Sequence, residues 1–261
     1  MNFAFSKYQG TGNDFVLIDN RRLQFPTENL SVIRKICNRR FGVGSDGLIL
    51  IEPDERADFY MNFFNPDGSQ SYCGNGSRCA VQYSKQLGII GNECTFGAID
   101  GQHQGEVLED DIRISIRPVI QIEKRDEDFI IDTGSPHYIR FAPDVDEVDL
   151  IAEAHRIRYS PEFRDTGVNV NFVELLDEHA IKMRTYERGV EDETLSCGTG
   201  VTAAAIAQMI REGRDRSIDV NTLGGSLRVS ATAGAENSYF DVWLSGPAQE
   251  TFTGIFNCSK C

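Results

Sequence analysis

The stretch Ser196-Cys197-Gly198-Thr199-Gly200 runs directly into Val201-Thr202-Ala203-Ala204-Ala205-Ile206-Ala207. A polar residue, a cysteine and two glycines ahead of strong helix formers place this thiol at a helix start. The first turn of a helix offers unpaired backbone N–H groups and a partial positive charge, which favour a thiolate and can hold an anion. The same phrase occurs earlier as Tyr72-Cys73-Gly74-Asn75-Gly76-Ser77-Arg78-Cys79. A lone cysteine at a tight glycine turn is most often a small core residue. Two at matching places in a repeat are harder to explain by packing, and Cys73 and Cys197 read as a working pair. Cys37, Cys79 and Cys94 lack that symmetry and read as core.

The chemistry such a pair permits is proton transfer at one carbon. If two equivalent units face each other about a pseudo-twofold axis, the thiols approach a shared cleft from opposite sides. A substrate carboxylate there accepts N–H bonds from Gly74, Asn75, Gly198 and Thr199, with both helix dipoles favouring added negative charge. One thiolate removes a Cα proton and the opposite thiol returns one on the other face, which is racemisation. Asn13, Asn65, Asn169, Glu187 and Arg188 sit at predicted strand ends or in short turns. Taken singly, each is an ordinary turn residue; together they could bind an ammonium and a second carboxylate, the arginine by its fork and the glutamate by its charge.

The elements that must position these residues recur in the same order twice. A turn-rich stretch Tyr8–Asp14 leads into a strand at Phe15–Asp19. A helix is expected over Thr27–Arg40, strands at Gly47–Ile51 and Asp58–Phe64, then Cys73 and its helix to Leu87. Further strands follow at Glu93–Phe96, Gln104–Leu108 and Asp111–Arg117, and Pro118 closes the unit. The second unit has strands at Phe129–Asp132 and His137–Phe141, a helix over about Asp146–His155, strands at Asn169–Leu175 and Ile181–Tyr186, then Cys197 and its helix. Strands at Ser226–Ala231 and Tyr239–Leu244 complete it. Gly12 to Cys73 spans 61 positions and Gly134 to Cys197 spans 63, so the chain reads as a duplicated α+β unit. The expected division is residues 1–117 and 118–248, with the final stretch 249–261, strand-like over Gln249–Thr253, joining the first.

Composition narrows the function classes. The 261 residues, 40% hydrophobic and 25% charged, describe a folded globular chain. A net charge of −14, from 40 Asp and Glu against 26 Lys and Arg, argues against a phosphate-backbone partner, so no nucleic acid is expected. No apolar run approaches the roughly 20 residues of a membrane span, and Met1–Lys7 lacks the apolar core of a signal peptide. Seven cysteines, an odd number without a secretory signal, imply reduced thiols and a cytoplasmic protein. The terminal Cys258-Ser259-Lys260-Cys261 has no second pair, and no metal site is expected. Gly10-Thr11-Gly12 opens a strand and not a helix, so it is not read as a phosphate loop.

The ordered set Gly12-Asn13-Asp14-Phe15, Phe64-Asn65-Pro66-Asp67-Gly68-Ser69, Cys73-Gly74-Asn75-Gly76, Gly134-Ser135-Pro136-His137, Asn169-Val170-Asn171-Phe172, Tyr186-Glu187-Arg188-Gly189, Ser196–Gly200 and Ser245-Gly246-Pro247-Ala248 resembles the diaminopimelate epimerase family. The resemblance spans nearly the whole chain. It implies an α+β fold of two pseudo-symmetric lobes, each a curled, mostly antiparallel sheet around a central helix, with the active site in the cleft between them. It implies an isomerase without cofactor, pyridoxal phosphate included, that interconverts LL- and meso-2,6-diaminopimelate for lysine and peptidoglycan precursor synthesis. Cys73 and Cys197 would be the acid/base pair, tuned by His137 and Glu187. Gly74, Asn75, Gly198 and Thr199 would hold the reacting end, and Asn13, Asn65, Asn169, Glu187 and Arg188 the distal centre. Ser135 stands where many members have Asn, leaving a hydroxyl for that contact. Gly47 replaces a substrate-binding Gln of some members, so that role is not carried over. A homodimer is compatible with the sequence. Two alternatives stay open: a racemase of another amino acid on the same fold, and a thiol redox or small-molecule binding protein.

Overall fold

The computed structural model describes residues 2–213, 217–235 and 237–258; of the terminal cysteine motif, Cys261 lies outside them. The chain divides into two compact units, Met1–Ile114 with Gly246–Cys261, and Ser115–Ser245. Both are mixed α+β.

The first unit opens with a hairpin, β1 (Asn2–Gly10) and β2 (Asn13–Asp19). Residues 8–14 are therefore not an extended turn. Gly10 pairs with Asn13, and the turn is confined to Thr11 and Gly12, both at positive φ (51° and 89°), the two-residue loop whose twist matches a hairpin. Helix α1 (Leu30–Cys37) is shorter than the predicted Thr27–Arg40 because the Asn29 side chain caps it by accepting from Ser31 N–H. At its other end the Ile36 and Cys37 carbonyls accept from Val43, Gly44 and Ser45. Strand β3 (Gly47–Glu52) lies parallel to β2, and β4 (Phe59–Phe64) antiparallel to β3. Helix α2 (Gly74–Gln86) follows, then β5 (Glu93–Ala98), β6 (Gly101–Val107) and β7 (Ile112–Ile116). Because α2 touches β1, β2, β3, β4 and β6, the sheet curls around it.

The second unit repeats this plan. It begins with β8 (Gln121–Arg125) and β9 (Asp128–Asp132), continues through β10 (Pro136–Phe141), α3 (Leu150–Arg158), β11 (Asn169–Leu175) and β12 (Ala180–Glu187), and inserts the short β13 (Asp192–Thr194). Helix α4 (Gly198–Glu212) then leads to β14 (Ser217–Thr222), β15 (Gly225–Ala233) and β16 (Tyr239–Gly246). The pairing β10–β11 is parallel, β11–β12 antiparallel and β12–β14 parallel, the order of β2–β3, β3–β4 and β4–β5. Helix α3 starts later than predicted because Asp149 caps it, accepting from Ala152 N–H. Helix α4 ends at Gly213 in the left-handed conformation, φ 63°.

Strand β17 (Gln249–Asn257) pairs antiparallel with β1 along nearly its whole length. In the first unit the strand beside the opening hairpin thus comes from the chain's far end, whereas in the second β8 precedes β9 directly. Each unit buries its own apolar cluster. One gathers Val16, Ile18, Ile33, Ile36, Leu48 and Leu50; the other gathers Leu150, Ile157, Val168, Val170, Phe172 and Tyr186.

Candidate active site

Both cysteines occupy the N-cap of the buried helix of their unit. Cys73 caps α2 with extended backbone (φ −138°, ψ 108°) and Cys197 caps α4 with nearly the same geometry (φ −116°, ψ 108°). The first α-helical bonds run from Ser77 N–H to the Cys73 carbonyl and from Val201 N–H to the Cys197 carbonyl, each 2.8 Å. The N–H groups of Gly74, Asn75, Gly198 and Thr199 precede them, at the positive end of each helix. Such an end attracts an anion and stabilises sulfur as thiolate.

In the first unit the Cys73 sulfur accepts from Gly76 N–H at 3.4 Å. Asn75, almost fully buried, donates its amide to Asn13 Oδ1 at 2.6 Å, and Asn13 Nδ2 donates to Asp46 Oδ2 at 3.0 Å. Behind Asn13, Asp14 takes Lys7 at 2.5 Å and Arg39 at 2.6 Å, and Arg39 also reaches Asp46 at 2.6 Å. This charged frame fixes the orientation of the Asn13 amide. Asn65 stands apart, its Nδ2 tied to Ser69 O, Ser69 Oγ and Ser71 Oγ of its own turn at 3.1–3.2 Å.

The second unit brings together six of the predicted residues in two chains of contacts. In the first, Cys197 Sγ lies 3.4 Å from Thr199 Oγ1, which lies 2.9 Å from His137 Nε2. Asn171 Nδ2 is 3.2 Å from His137 Nδ1 and 3.2 Å from the Tyr138 carbonyl, while its Oδ1 accepts from Thr185 at 3.0 Å. A carbonyl can only accept, so the Asn171 end facing it is the amide nitrogen and His137 Nδ1 is an acceptor. Burial, with a smaller contribution from the Arg188 charge, lowers the His137 pKa to about 3, so the ring is neutral and carries its proton on Nε2. It donates to Thr199, whose hydroxyl is left able to give a proton to the Cys197 sulfur or to take one from it. In the second chain, Asn169 Nδ2 donates to Ser135 Oγ at 2.9 Å and Asn169 Oδ1 accepts from Arg188 N–H at 2.9 Å. The Arg188 guanidinium reaches Ser135 Oγ at 3.4 Å and the Thr166 carbonyl at 3.0 Å.

Sheet register explains this convergence. His137 is the parallel partner of Asn169, and Asn171 the antiparallel partner of Thr185; Asn169 and Asn171, two apart on β11, project from one face. Glu187 ends β12 and its carbonyl accepts from Glu191 N–H at 2.7 Å, closing the turn that carries Arg188. Both His137 ring nitrogens are engaged by Thr199 and Asn171. Gly200 lies against this pair: a Cβ there would fall 2.7 Å from Asn171 Oδ1.

Residue patterns alone missed Asn171, Thr185, Asp46 and Thr133, whose hydroxyl donates to the Thr199 carbonyl at 2.9 Å. Asn171 carried a signal, since it alternates with Asn169. The other cysteines are core groups: burial pushes Cys79 and Cys94 up to about 12, and Cys37 upward too. Among the described residues no group of three or more His, Cys, Asp or Glu side chains comes together as a metal site. No helix among them is long and apolar enough to cross a membrane.

The fold and paired caps define a class of duplicated α+β proteins. A Bacillus anthracis phenazine biosynthesis protein of the PhzF family superposes with a TM-score of 0.77 over 98% of this chain and 99% of its own, at 14% identity. A hydroxyproline epimerase from Agrobacterium vitis gives 0.72 over 99% and 93%, at 15% identity. At the level of sequence, residues 5–117 and 129–249 match the profile described as Diaminopimelate epimerase. The diaminopimelate epimerase of Flavobacterium psychrophilum is 49% identical over 94% of this chain and 97% of its own, and that of Aquifex aeolicus 41% identical over 96% of each. The chain belongs to the diaminopimelate epimerase family.

Proposed function

We propose that the protein is an isomerase that interconverts LL- and meso-2,6-diaminopimelate, a small-molecule substrate, by proton transfer at one Cα. The observation that carries this reading is the pair of cysteines capping equivalent helices in two repeated units of a family member. One thiolate takes the Cα proton, so that a C–H bond breaks and an S–H bond forms. The electron pair left on carbon delocalises into the adjacent carboxylate, where N–H groups of Gly74, Asn75, Gly198 and Thr199 favour the added charge. The other thiol then gives its proton to the opposite face, and the two sulfurs exchange protonation states. Nothing is oxidised or reduced, and no cofactor enters the scheme.

Asn13, Asn65, Ser135, Asn169, Glu187 and Arg188 are assigned to the distal amino-acid centre, Arg188 facing its carboxylate and Glu187 its ammonium. The hydrogen bonds joining Ser135, Asn169 and Arg188 support that grouping. His137 acts through Thr199 on Cys197. The acidic charge and odd cysteine count fit a cytoplasmic enzyme. A homodimer fits strand β17, which pairs with β1 alone among the described residues and exposes Phe252 and Ile255.

The test is incubation of reduced protein with LL-diaminopimelate in D2O without pyridoxal phosphate. Deuterium at Cα together with the meso isomer is expected, and Cys73→Ala or Cys197→Ala should each abolish epimerisation. Absence of exchange refutes the activity. Faster turnover of a mono-amino acid would assign a different racemase, and normal epimerisation by both single variants would overturn the two-thiol scheme.

A further inference from the structure

Arg188 sits in a tight hairpin of the second unit. Glu187 on β12 pairs with Asp192 on β13, which leaves residues 188–191 as the turn. Within it Gly189 and Glu191 are both left-handed, at φ 92° and φ 58°. Glycine takes that conformation freely, whereas a glutamate adopts it against its steric preference. The Glu191 side chain shows what holds it there. Oε1 accepts from Arg158 Nη2 at 2.9 Å and from Gly189 N–H at 3.2 Å, and Oε2 accepts from the Tyr186 and Tyr159 hydroxyls, each at 3.1 Å. The Glu191 backbone N–H donates to the Glu187 carbonyl at 2.7 Å. A carboxylate offers about four lone-pair sites, and these donors fill them, so Glu191 is not itself a ligand for substrate. Burial alone would raise its pKa, but the hydrogen bonds, that from Arg158 foremost, outweigh this and keep the group ionised.

From Glu191 a second route leads back to Arg188. Arg158, the last residue of α3, is mostly buried and donates from Nη1 to the Phe163 and Arg164 carbonyls at 3.2 and 3.3 Å. The Phe163 carbonyl also accepts from Gly167 N–H at 2.7 Å. Gly167 lies against both arginines: a Cβ there would fall 3.3 Å from Arg158 Cζ and 2.4 Å from Arg188 Cδ. Arg188 Nη1 donates to the neighbouring Thr166 carbonyl at 3.0 Å. The Arg188 stem thus rests on the loop from Phe163 to Gly167, while its backbone belongs to the turn from Arg188 to Glu191. One ion pair, Arg158–Glu191, ties that loop to that turn.

We propose that Glu191 is a positioning residue for Arg188: by gathering Arg158, Gly189, Tyr159 and Tyr186 it locks the turn onto the 163–167 loop, so that the Arg188 fork is set before substrate arrives. The consequence for substrate rests on the reading of Arg188 as the ligand of the distal carboxylate; the lock itself does not. A fork held in place loses less freedom on binding than one that must be ordered. The contribution of Glu191 therefore falls on substrate affinity and not on proton transfer.

Two readouts test it, one with substrate and one without. Glu191→Gly keeps the left-handed turn accessible and removes the carboxylate, and Arg158→Met breaks the same link from the α3 side. Each should raise the KM for LL-diaminopimelate by about tenfold, with kcat within about threefold of wild type. Glu191→Gln should stay within about threefold in KM, because its amide oxygen accepts from Arg158 and Gly189 while its nitrogen donates to the tyrosine hydroxyls. In an Arg188→Ala background, Glu191→Gly should change KM no further, since the two act as a unit. In the substrate-free full chain, the Arg188 Nε–H NMR signal should be dispersed in wild type and Glu191→Gln, and should move to the position of a solvated arginine in Glu191→Gly and Arg158→Met. A purely structural glutamate would lower the melting temperature and leave both readouts alone. A folded Glu191→Gly or Arg158→Met with an unmoved signal overturns the proposal, as does a wild-type signal already at the solvated position, which decides the matter even where neither variant folds. A moved signal combined with an Arg188→Ala variant of normal KM would support the lock while removing Arg188 from the distal centre.

Discussion

His137 Nε2 lies 2.9 Å from Thr199 Oγ1, and through that hydroxyl a buried neutral imidazole reaches the Cys197 sulfur, 3.4 Å further on. Thr199→Val keeps the shape of the side chain and removes the relay. It also leaves the His137 N–H buried and unpaired, a cost of about 1–3 kcal/mol. The expected outcome is a fall in kcat of roughly ten- to a hundredfold, with KM changed far less, since the distal-centre residues are untouched. Steady-state kinetics in both directions checks this, and an unchanged kcat would remove Thr199 from the proton path.

His137 itself should not titrate in the working range. Its folded pKa of about 3 lies below the ordinary value of 6.5, so the unfolded chain binds this proton more readily than the folded one. The stability it contributes is complete above pH about 6.5 and falls away as the pH drops toward 3. The NMR signal of the His137 ring should therefore stay constant from pH 5 to 9. A His137 midpoint near 6.5 would contradict the neutral ring on which the Thr199 relay depends.

The helix caps were readable because capping is local: a short polar phrase with glycines ahead of an alanine run marks a helix start wherever the chain goes. The repeat was readable because it recurs at nearly constant spacing. Strand β8 is polar and largely exposed and β13 is three residues long, so neither shows apolar alternation. Strand β1 was hidden because the glycines at its end dominate the local pattern, while its strand character comes from pairing with β17, some 240 positions away. The groups behind the site, Asp46 behind Asn13 and Asn171 behind His137, are set by strand register, which no short motif encodes.

Asp14 gives the charged frame behind Asn13 a measurable signature. Burial alone would raise its pKa, but hydrogen bonds and charge from Arg39 and Lys7 outweigh this and bring it to about 2. A depressed carboxylate stabilises the fold above its unfolded value near 4, and that stability is lost as the pH falls from about 4 to about 2. The shift corresponds to on the order of 2 kcal/mol, less the screening of a half-exposed Arg39. Asp14→Asn should thus melt several degrees below wild type at pH 7, and the gap should close toward pH 3 in thermal denaturation. A gap independent of pH would assign the effect to packing.

Gly47 shows why a glutamine cannot be restored there by substitution alone. It opens β3 beside Phe15, and an added Cβ would fall 2.3 Å from Phe63 Cε2 and 3.0 Å from the Phe64 carbonyl. Gly47→Gln should cost about 1–3 kcal/mol through overpacking and leave the KM for diaminopimelate no lower than in wild type. A fully stable variant with a reduced KM would show that the Phe63 ring yields and that the position faces substrate after all.

Ser135 and Arg188 separate binding from chemistry. The Ser135 hydroxyl accepts from Asn169 at 2.9 Å and faces the Arg188 guanidinium at 3.4 Å, while the Arg188 stem lies over Gly167, where a Cβ would fall 2.4 Å from Arg188 Cδ. The fork is therefore aimed by Gly167, Ser135 and the Thr166 carbonyl together, and under the proposed assignment it would engage a carboxylate that does not react. Loss of such a contact weakens ground state and transition state alike, which raises KM and spares kcat. Ser135→Ala should raise KM a few-fold and Arg188→Lys, which loses the bidentate geometry, by about tenfold or more, each with kcat within about threefold of wild type. Equal losses in kcat and kcat/KM would instead place Arg188 at the reacting centre, and the assignment of the distal site to this side of the second unit would have to be withdrawn.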